Sequence, residues 1–166
     1  MKAQTHDENV AKLRELIKDI DFAMLTTVNE DGSLISRPMS TQQTEFDGDL
    51  WFFTSAPTGK TEDIARERQV NVAYAQPDKQ RYVSVSGTAL VLNDRAKMAE
   101  LWSPVYKAYF PEGLDDPNLR LLKVSVRKAE YWESHGLIRS AIGFVQGLVE
   151  GKEADMGENE KIRLKA

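Results

Sequence analysis

The sequence predicts a mainly β fold in which six antiparallel strands close into a small barrel, with helices inserted beside them. Apolar and polar residues alternate over short runs, as Val70, Val72 and Tyr74 do with Asn71, Ala73 and Ala75. Glycine-containing turns such as Asp31-Gly32 and Asp47-Gly48 join several of these runs directly. Helical periodicity is confined to a few short segments that do not alternate regularly with strands, which disfavours a doubly wound parallel sheet.

Taken in order, Val10, Leu13, Leu16, Ile17 and Ile20 recur at three- and four-residue spacing and predict an amphipathic helix over Asn9–Ile20. Phe22 to Val28 reads as a strand running into the Asn29-Glu30-Asp31-Gly32 turn, with the hairpin's second arm from Ser33 to about Thr44. A turn at 46–49 leads to the third strand, Leu50 to Thr54. Ala56-Pro57-Thr58-Gly59 ends that strand, and Lys60 to Arg68 reads as a short helix with Ile64 and Ala65 inward. Alternation then predicts strands around 70–75 and 82–91, separated by a turn at Gln76 to Gln80. Asn93 or Asp94 suits the cap of a helix carrying Met98, Leu101 and Trp102. Pro104 to Asn118 contains three prolines and reads as an irregular connection, and Leu119 to about Trp132 as the sixth strand. Lys161 to Leu164 offers a further edge strand in an otherwise polar tail.

The 166 residues fit a single domain, and a hydrophobic fraction of 41% supplies a core without metals or disulfides. There is no cysteine, so thiolate ligands, disulfides and a cysteine nucleophile are excluded, and a cytoplasmic location is expected. The polar stretch from Met1 to Val10 is unlike a signal peptide, and no run of apolar residues is long enough to span a bilayer. A net charge of -4 gives no reason to expect nucleic acid along the surface, while leaving room for a local site for one phosphate group.

Such a site is suggested by Trp51-Phe52-Phe53-Thr54-Ser55-Ala56-Pro57-Thr58-Gly59-Lys60-Thr61, where a strand turns into a helix. First-turn amides, the helix dipole and the Lys60 ammonium all favour an anion there. An ordinary helix start with a solvated lysine has the same sequence. Gly59-Lys60-Thr61 also matches the end of a nucleotide-binding P-loop, but Thr54 stands where that pattern needs its first glycine, and the sheet reads as antiparallel; the NTPase reading is rejected. The second stretch is Ser36-Arg37-Pro38-Met39-Ser40, where Pro38 marks an edge or bulge and Arg37 offers a planar fork for oxygen atoms. An edge proline that blocks aggregation, beside a solvated arginine, explains it as well.

Together the two stretches resemble the flavin-binding split barrel family that includes pyridoxamine 5'-phosphate oxidase, and more closely its general stress protein branch, over roughly residues 7 to 133. In the oxidase the first flavin motif runs from an arginine to a lysine five residues later; Arg37 matches the arginine and Gln42 replaces the lysine. The second motif has an aromatic and a hydroxyl, then an Arg-Lys pair; Phe53, Thr54 and Lys60 match, and Gly59 replaces the arginine. The resemblance implies a six-stranded antiparallel split β-barrel with Greek-key connections over 7–133, and a C-terminal helix and polar tail over 134–166. It implies FMN, with FAD as a possible substitute, bound by Thr54, Ser55 and Lys60 near the phosphate. Arg37, Pro38 and Met39 then lie near the ring, Phe53 and Thr58 also bind the cofactor, and Tyr82 takes the place of a family glutamine. It further implies a homodimer with the flavin at the protomer interface, serving a flavin-dependent oxidoreductase that acts on a reduced nicotinamide or small substrate.

The oxidase's substrate motif, an arginine and a histidine separated by one residue, has no match near the chain end, so pyridoxamine phosphate is not the expected substrate. A noncatalytic flavin-binding or sensing stress module is the alternative, and a haem-handling relative with His135 as ligand a weaker one. No metal constellation is present, and no catalytic residue is assigned. His6 reads as part of a frayed terminus. Trp102, Tyr106, Tyr109 and Trp132 suit either covering of a flavin groove or plain packing. Asp115-Asp116 and Glu153-Asp155 read as solvated charge.

Overall fold

The computed structural model describes residues 5–42, 45–134, 148–149, 151 and 157–165. The first helix, α1, spans His6–Ile17, three residues earlier at each end than the apolar spacing predicts. Capping decides this: Thr5 Oγ1 accepts from the Glu8 amide at 3.3 Å, and the Glu8 carboxylate accepts from the Thr5 amide at 2.7 Å. His6 is therefore the first helical residue and not part of a frayed end, and its Nδ1 lies 3.1 Å from the Leu164 carbonyl.

Strands β1 (Phe22–Val28), β2 (Leu34–Ser40) and β3 (Asp49–Ser55) are followed by helix α2 (Gly59–Arg66), then β4 (Gln69–Gln76) and β5 (Arg81–Leu92). Helix α3 (Arg95–Leu101) precedes two 3-10 turns at Pro104–Ala108 and Gly113–Asp115; β6 (Leu119–Glu133) and β7 (Glu158–Arg163) complete the sheet. Asp94 caps α3, accepting from the Lys97 amide at 3.0 Å. The predicted C-terminal helix falls mostly outside the described residues, as does His135.

All pairings are antiparallel, and the strand order is β2-β1-β4-β5-β6-β3, with β7 also pairing β6. The sheet thus has seven strands, the six expected and the further edge strand expected at Lys161–Leu164, which is observed as β7. The long β6 makes this possible: β5 runs along one edge, while the other edge is shared by β3, against Leu119–Ser125, and β7, against Lys128–Glu133. A register shift at Ser86/Gly87 separates the two halves. Ser86-Gly87 forms this bulge inside the continuous strand expected around 82–91. Glycine is needed there because an added Cβ would collide with the Ser125 carbonyl.

The sheet curls into a half-barrel around one apolar core, built from Leu13 and Leu16 of α1, Leu25 of β1, Phe52 of β3, Val72 of β4, Val85 of β5 and Leu122 of β6. The opposite face of β3 and β6 is buried as well, since α3 and the following 3-10 turn bring Met98, Leu101 and Tyr106 onto Phe53, Leu119 and Leu121. Burial on both faces explains the unbroken apolar run Leu50-Trp51-Phe52-Phe53. Trp102 belongs to this second cluster, edge-on to Phe53 at 5.3 Å. Its role is packing.

Candidate functional site

The two ends of the strand order, β2 and β3, meet without pairing, and a cleft of about 320 Å³ opens between them. Because β2 is an edge, Pro38 interrupts no ladder, and its partner across β1 is Met24. The cleft brings together seven of the predicted site residues: Pro38, Met39, Phe53, Thr54, Ser55, Thr58 and Lys60. Arg37 lies just behind it, and Tyr82 is elsewhere.

At one end of the cleft β3 hands the chain to α2. The Ala56 amide is held by the Asn118 carbonyl at 2.9 Å, and the Ala56-Pro57 peptide is cis. Thr58 caps α2 in a reciprocal box with Thr61, whose Oγ1 accepts from the Thr58 amide at 2.9 Å. Thr58 and Thr61 therefore satisfy each other, and among the first-turn amides only those of Gly59 and Lys60 remain available to a ligand. No atom lies within 4 Å of where a Gly59 side chain would begin, so this approach is open.

Lys60 is the only charged residue lining the cleft among the described ones, and its ammonium donates to Thr54 Oγ1. Burial pushes the Lys60 pKa below the ordinary lysine value, and the nearby Arg37 guanidinium pushes it further down. Arg37 is itself lowered by burial and sustained by Asp63. The guanidinium donates to Thr27 Oγ1 at 2.6 Å and lies 3.9 Å from Asp63. Asp63, with a side chain only 4% exposed, also accepts from Thr27 at 3.1 Å and pairs with Arg66 at 2.7 Å. One buried carboxylate is thus divided between two arginines, and among the described residues the Lys60 charge has no counter-ion. An anion at Thr54, Ser55 and Lys60 would supply it.

The rest of the cleft is flat and neutral. Tyr109 and Phe110 form apolar walls, and the Tyr106 ring packs against Phe53 at a tilt of 46°, with centroids 5.3 Å apart. Tyr106 donates to Gln42 Oε1 at 3.2 Å, which fixes the amide, while Gln42 Nε2 is buried with no hydrogen-bond partner among the described residues. A buried donor facing a cleft calls for a ligand acceptor. Tyr106 and Tyr109, considered as covers of a flavin groove, do line the cleft, whereas Gln42 and Phe110 were not among the residues predicted for the site. Gln42 was visible only as a departure from a motif lysine, and the aromatic pair comes from a connection whose course the sequence does not reveal. Trp132, the other aromatic considered as a cover, pairs with Tyr82 across β5 and β6 and does not line the cleft.

Tyr82 stands on the sheet face opposite the core. Residues directly opposed in neighbouring strands share a face, which places Phe22, Met24, Ala75, Tyr82 and Trp132 on this one. Phe22 is 53%, Met24 42%, Tyr82 43% and Trp132 42% exposed. Phe22 is also a wall of the cleft, so the exposed band runs directly into it.

Residues 8–155 match the family model described as pyridoxamine 5'-phosphate oxidase like. The chain is 29% identical to protein bli-3 of Neurospora crassa, over 94% of this chain and 80% of that protein. Its fold is similar to a solved structure from Clostridium acetobutylicum, a protein related to general stress protein 26, with a TM-score of 0.72 and 97% of each chain covered at 18% identity. The general stress FMN/FAD binding protein of Xanthomonas citri is 29% identical, with a TM-score of 0.67 over 78% of this chain and 92% of that one.

Proposed function

The chain belongs to the pyridoxamine 5'-phosphate oxidase-like family, in its general stress protein branch, and from that premise we propose that its cleft binds FMN, or FAD in its place. The observation that carries the proposal is the Lys60 ammonium, without a counter-ion among the described residues, beside Thr54, Ser55 and the open Gly59 amide, at the mouth of a cleft whose other described lining residues are neutral. The residues fit a flavin from end to end. Lys60, Thr54, Ser55 and Thr58 take the phosphate, Pro38, Met39, Phe53 and Tyr109 cover the ring, and Gln42 Nε2 donates to a ring acceptor.

A bound flavin would supply hydride and electron transfer, and the protein orients it and excludes water. We infer an oxidoreductase acting on a reduced nicotinamide or a small neutral substrate. The oxidase's arginine-and-histidine substrate motif has no match in residues 134–166, which argues against pyridoxamine phosphate. One observation favours the noncatalytic alternative: the described lining also contains neither a carboxylate nor a histidine to move a proton. Titration of the purified protein with FMN, FAD and pyridoxal phosphate, followed by absorbance, tests the binding. Saturable perturbation of the flavin band is expected, and no uptake of either flavin would refute the proposal. Reduction of the bound flavin by NADPH or NADH no faster than that of free FMN would select the sensing role.

We further propose a homodimer through the exposed face carrying Phe22, Met24, Tyr82 and Trp132, which would bring Tyr82 to the partner's cleft. The size of this apolar band and its continuity with the cleft wall support it. A Tyr82→Glu/Trp132→Glu double variant is expected to sediment as a monomer and to bind FMN at least tenfold more weakly, because one wall of the site is lost. A dimer of undiminished flavin affinity would exclude this face.

A further inference from the structure

A second concentration of positive charge lies around the β5–β6 bulge, away from the cleft. Arg127 and Lys128 follow the register shift in β6, and Arg163 and Lys165 come from β7 and the residues after it. All four are exposed and line one hollow of about 350 Å³ with Gln69, Ser86 and Gly87, and no carboxylate is among the lining residues. Lys128 stands directly opposite Arg163 on the neighbouring strand, and Ser86 directly opposite Lys128. Like charges opposed in this way destabilise a sheet. The backbone nevertheless holds them there, since the Arg127 carbonyl accepts from the Leu164 amide at 2.8 Å and the Lys165 amide at 3.1 Å. Asn9 of α1 fixes the same segment by donating to the Arg163 carbonyl at 2.8 Å.

Elsewhere on the sheet Arg81 pairs with Glu133 at 2.6 Å and Lys123 with Asp49 at 3.3 Å. Glu130, the nearest carboxylate along β6, stands opposite Lys161 and shares an adjoining hollow with Lys128 and Arg163, where one carboxylate meets three cations. Among the described residues that line this hollow no carboxylate balances the four cations.

We propose that this cluster binds a phosphate-rich small molecule, of the diphosphate class carried by nucleotides, at a site separate from the cleft. Two guanidinium forks and two ammonium groups match the oxygens of a diphosphate, with the Ser86 hydroxyl and Gln69 amide as neutral donors. A nucleic acid polyanion is disfavoured by the net charge of -4, which repels a chain extending beyond the hollow.

Inorganic pyrophosphate is the probe, titrated calorimetrically at low salt into full-length Lys60→Ala protein so that the cleft does not contribute. One pyrophosphate per protomer is expected to bind. Adding Lys128→Gln and Arg163→Gln should weaken it at least about tenfold while raising the melting temperature of the ligand-free protein, because the cross-strand repulsion is relieved. Absence of binding in Lys60→Ala protein, or undiminished binding after the double substitution, would overturn the proposal. So would equal, non-saturating heats from sulfate at matched ionic strength, which mean screening alone, or conversion of a dimer to a monomer by the double substitution, which would assign the cluster to a second copy. Parallel FMN titrations report on the cleft separately, so failure of the flavin reading leaves this result interpretable.

Discussion

Replacing Lys60 by alanine is expected to weaken FMN by about 1.5 to 3 kcal/mol, roughly ten- to 150-fold in Kd, the size of one charge-assisted hydrogen bond. Riboflavin, which has no phosphate, should bind wild type and variant alike, so the comparison isolates the anion from the ring. Equal losses for both flavins would mean that Lys60 acts on the shape of the cleft rather than on the phosphate. The pKa of Lys60 adds a pH signature. Burial and Arg37 depress it in the free protein, so protonated Lys60 lowers stability at pH below its folded pKa. That penalty is relieved as pH rises from the folded value toward the ordinary lysine value, and the free protein gains stability across this window. FMN binding has the opposite sign, because the phosphate needs the ammonium: affinity should fall on raising the pH through the same range. Both slopes should vanish in Lys60→Ala protein, as thermal melts with and without FMN would record.

Asp63→Ala carries the largest expected stability effect. The carboxylate is buried, bonded to Thr27 and shared by Arg37 and Arg66, and its removal leaves Arg37 partly buried beside Lys60 with no counter-charge. Breaking such a pair costs about 3 kcal/mol, which corresponds to a fall of about 6 to 12 °C in Tm for a chain of this size. The Arg66 arm contributes little, since its side chain is 43% exposed. A bound phosphate takes over part of the neutralisation, so saturating FMN should raise the Tm of Asp63→Ala protein by more than that of wild type. A variant that melts with the wild type would show that solvent already neutralises Arg37.

Asp63 illustrates where sequence reading stops. It stands in an α2 segment whose helical pattern is plain, yet nothing local announces that its carboxylate will be buried beneath an edge strand that begins more than twenty residues earlier. Gln42 is similar: it was recognisable as a missing lysine, but its unpaired amide and its tie to Tyr106 exist only because the connection after α3 folds back over β3. Thr58, by contrast, was expected to bind the cofactor, and the structure shows that much of its capacity is spent capping α2 with Thr61.

What the sequence determined by itself was local: strands where side chains alternate, turns where glycine follows aspartate, and the junction that sets Lys60 at a helix start. Period and turn chemistry act between near neighbours, so the chain records them openly. Tertiary structure alone decided which edges meet without pairing, that β6 shares one edge between β3 and β7, and that Tyr82 faces away from the cleft while Arg37 lies behind it. Those outcomes depend on how a curled sheet closes and on which charges its closure forces together, and residues far apart in the chain settle them jointly.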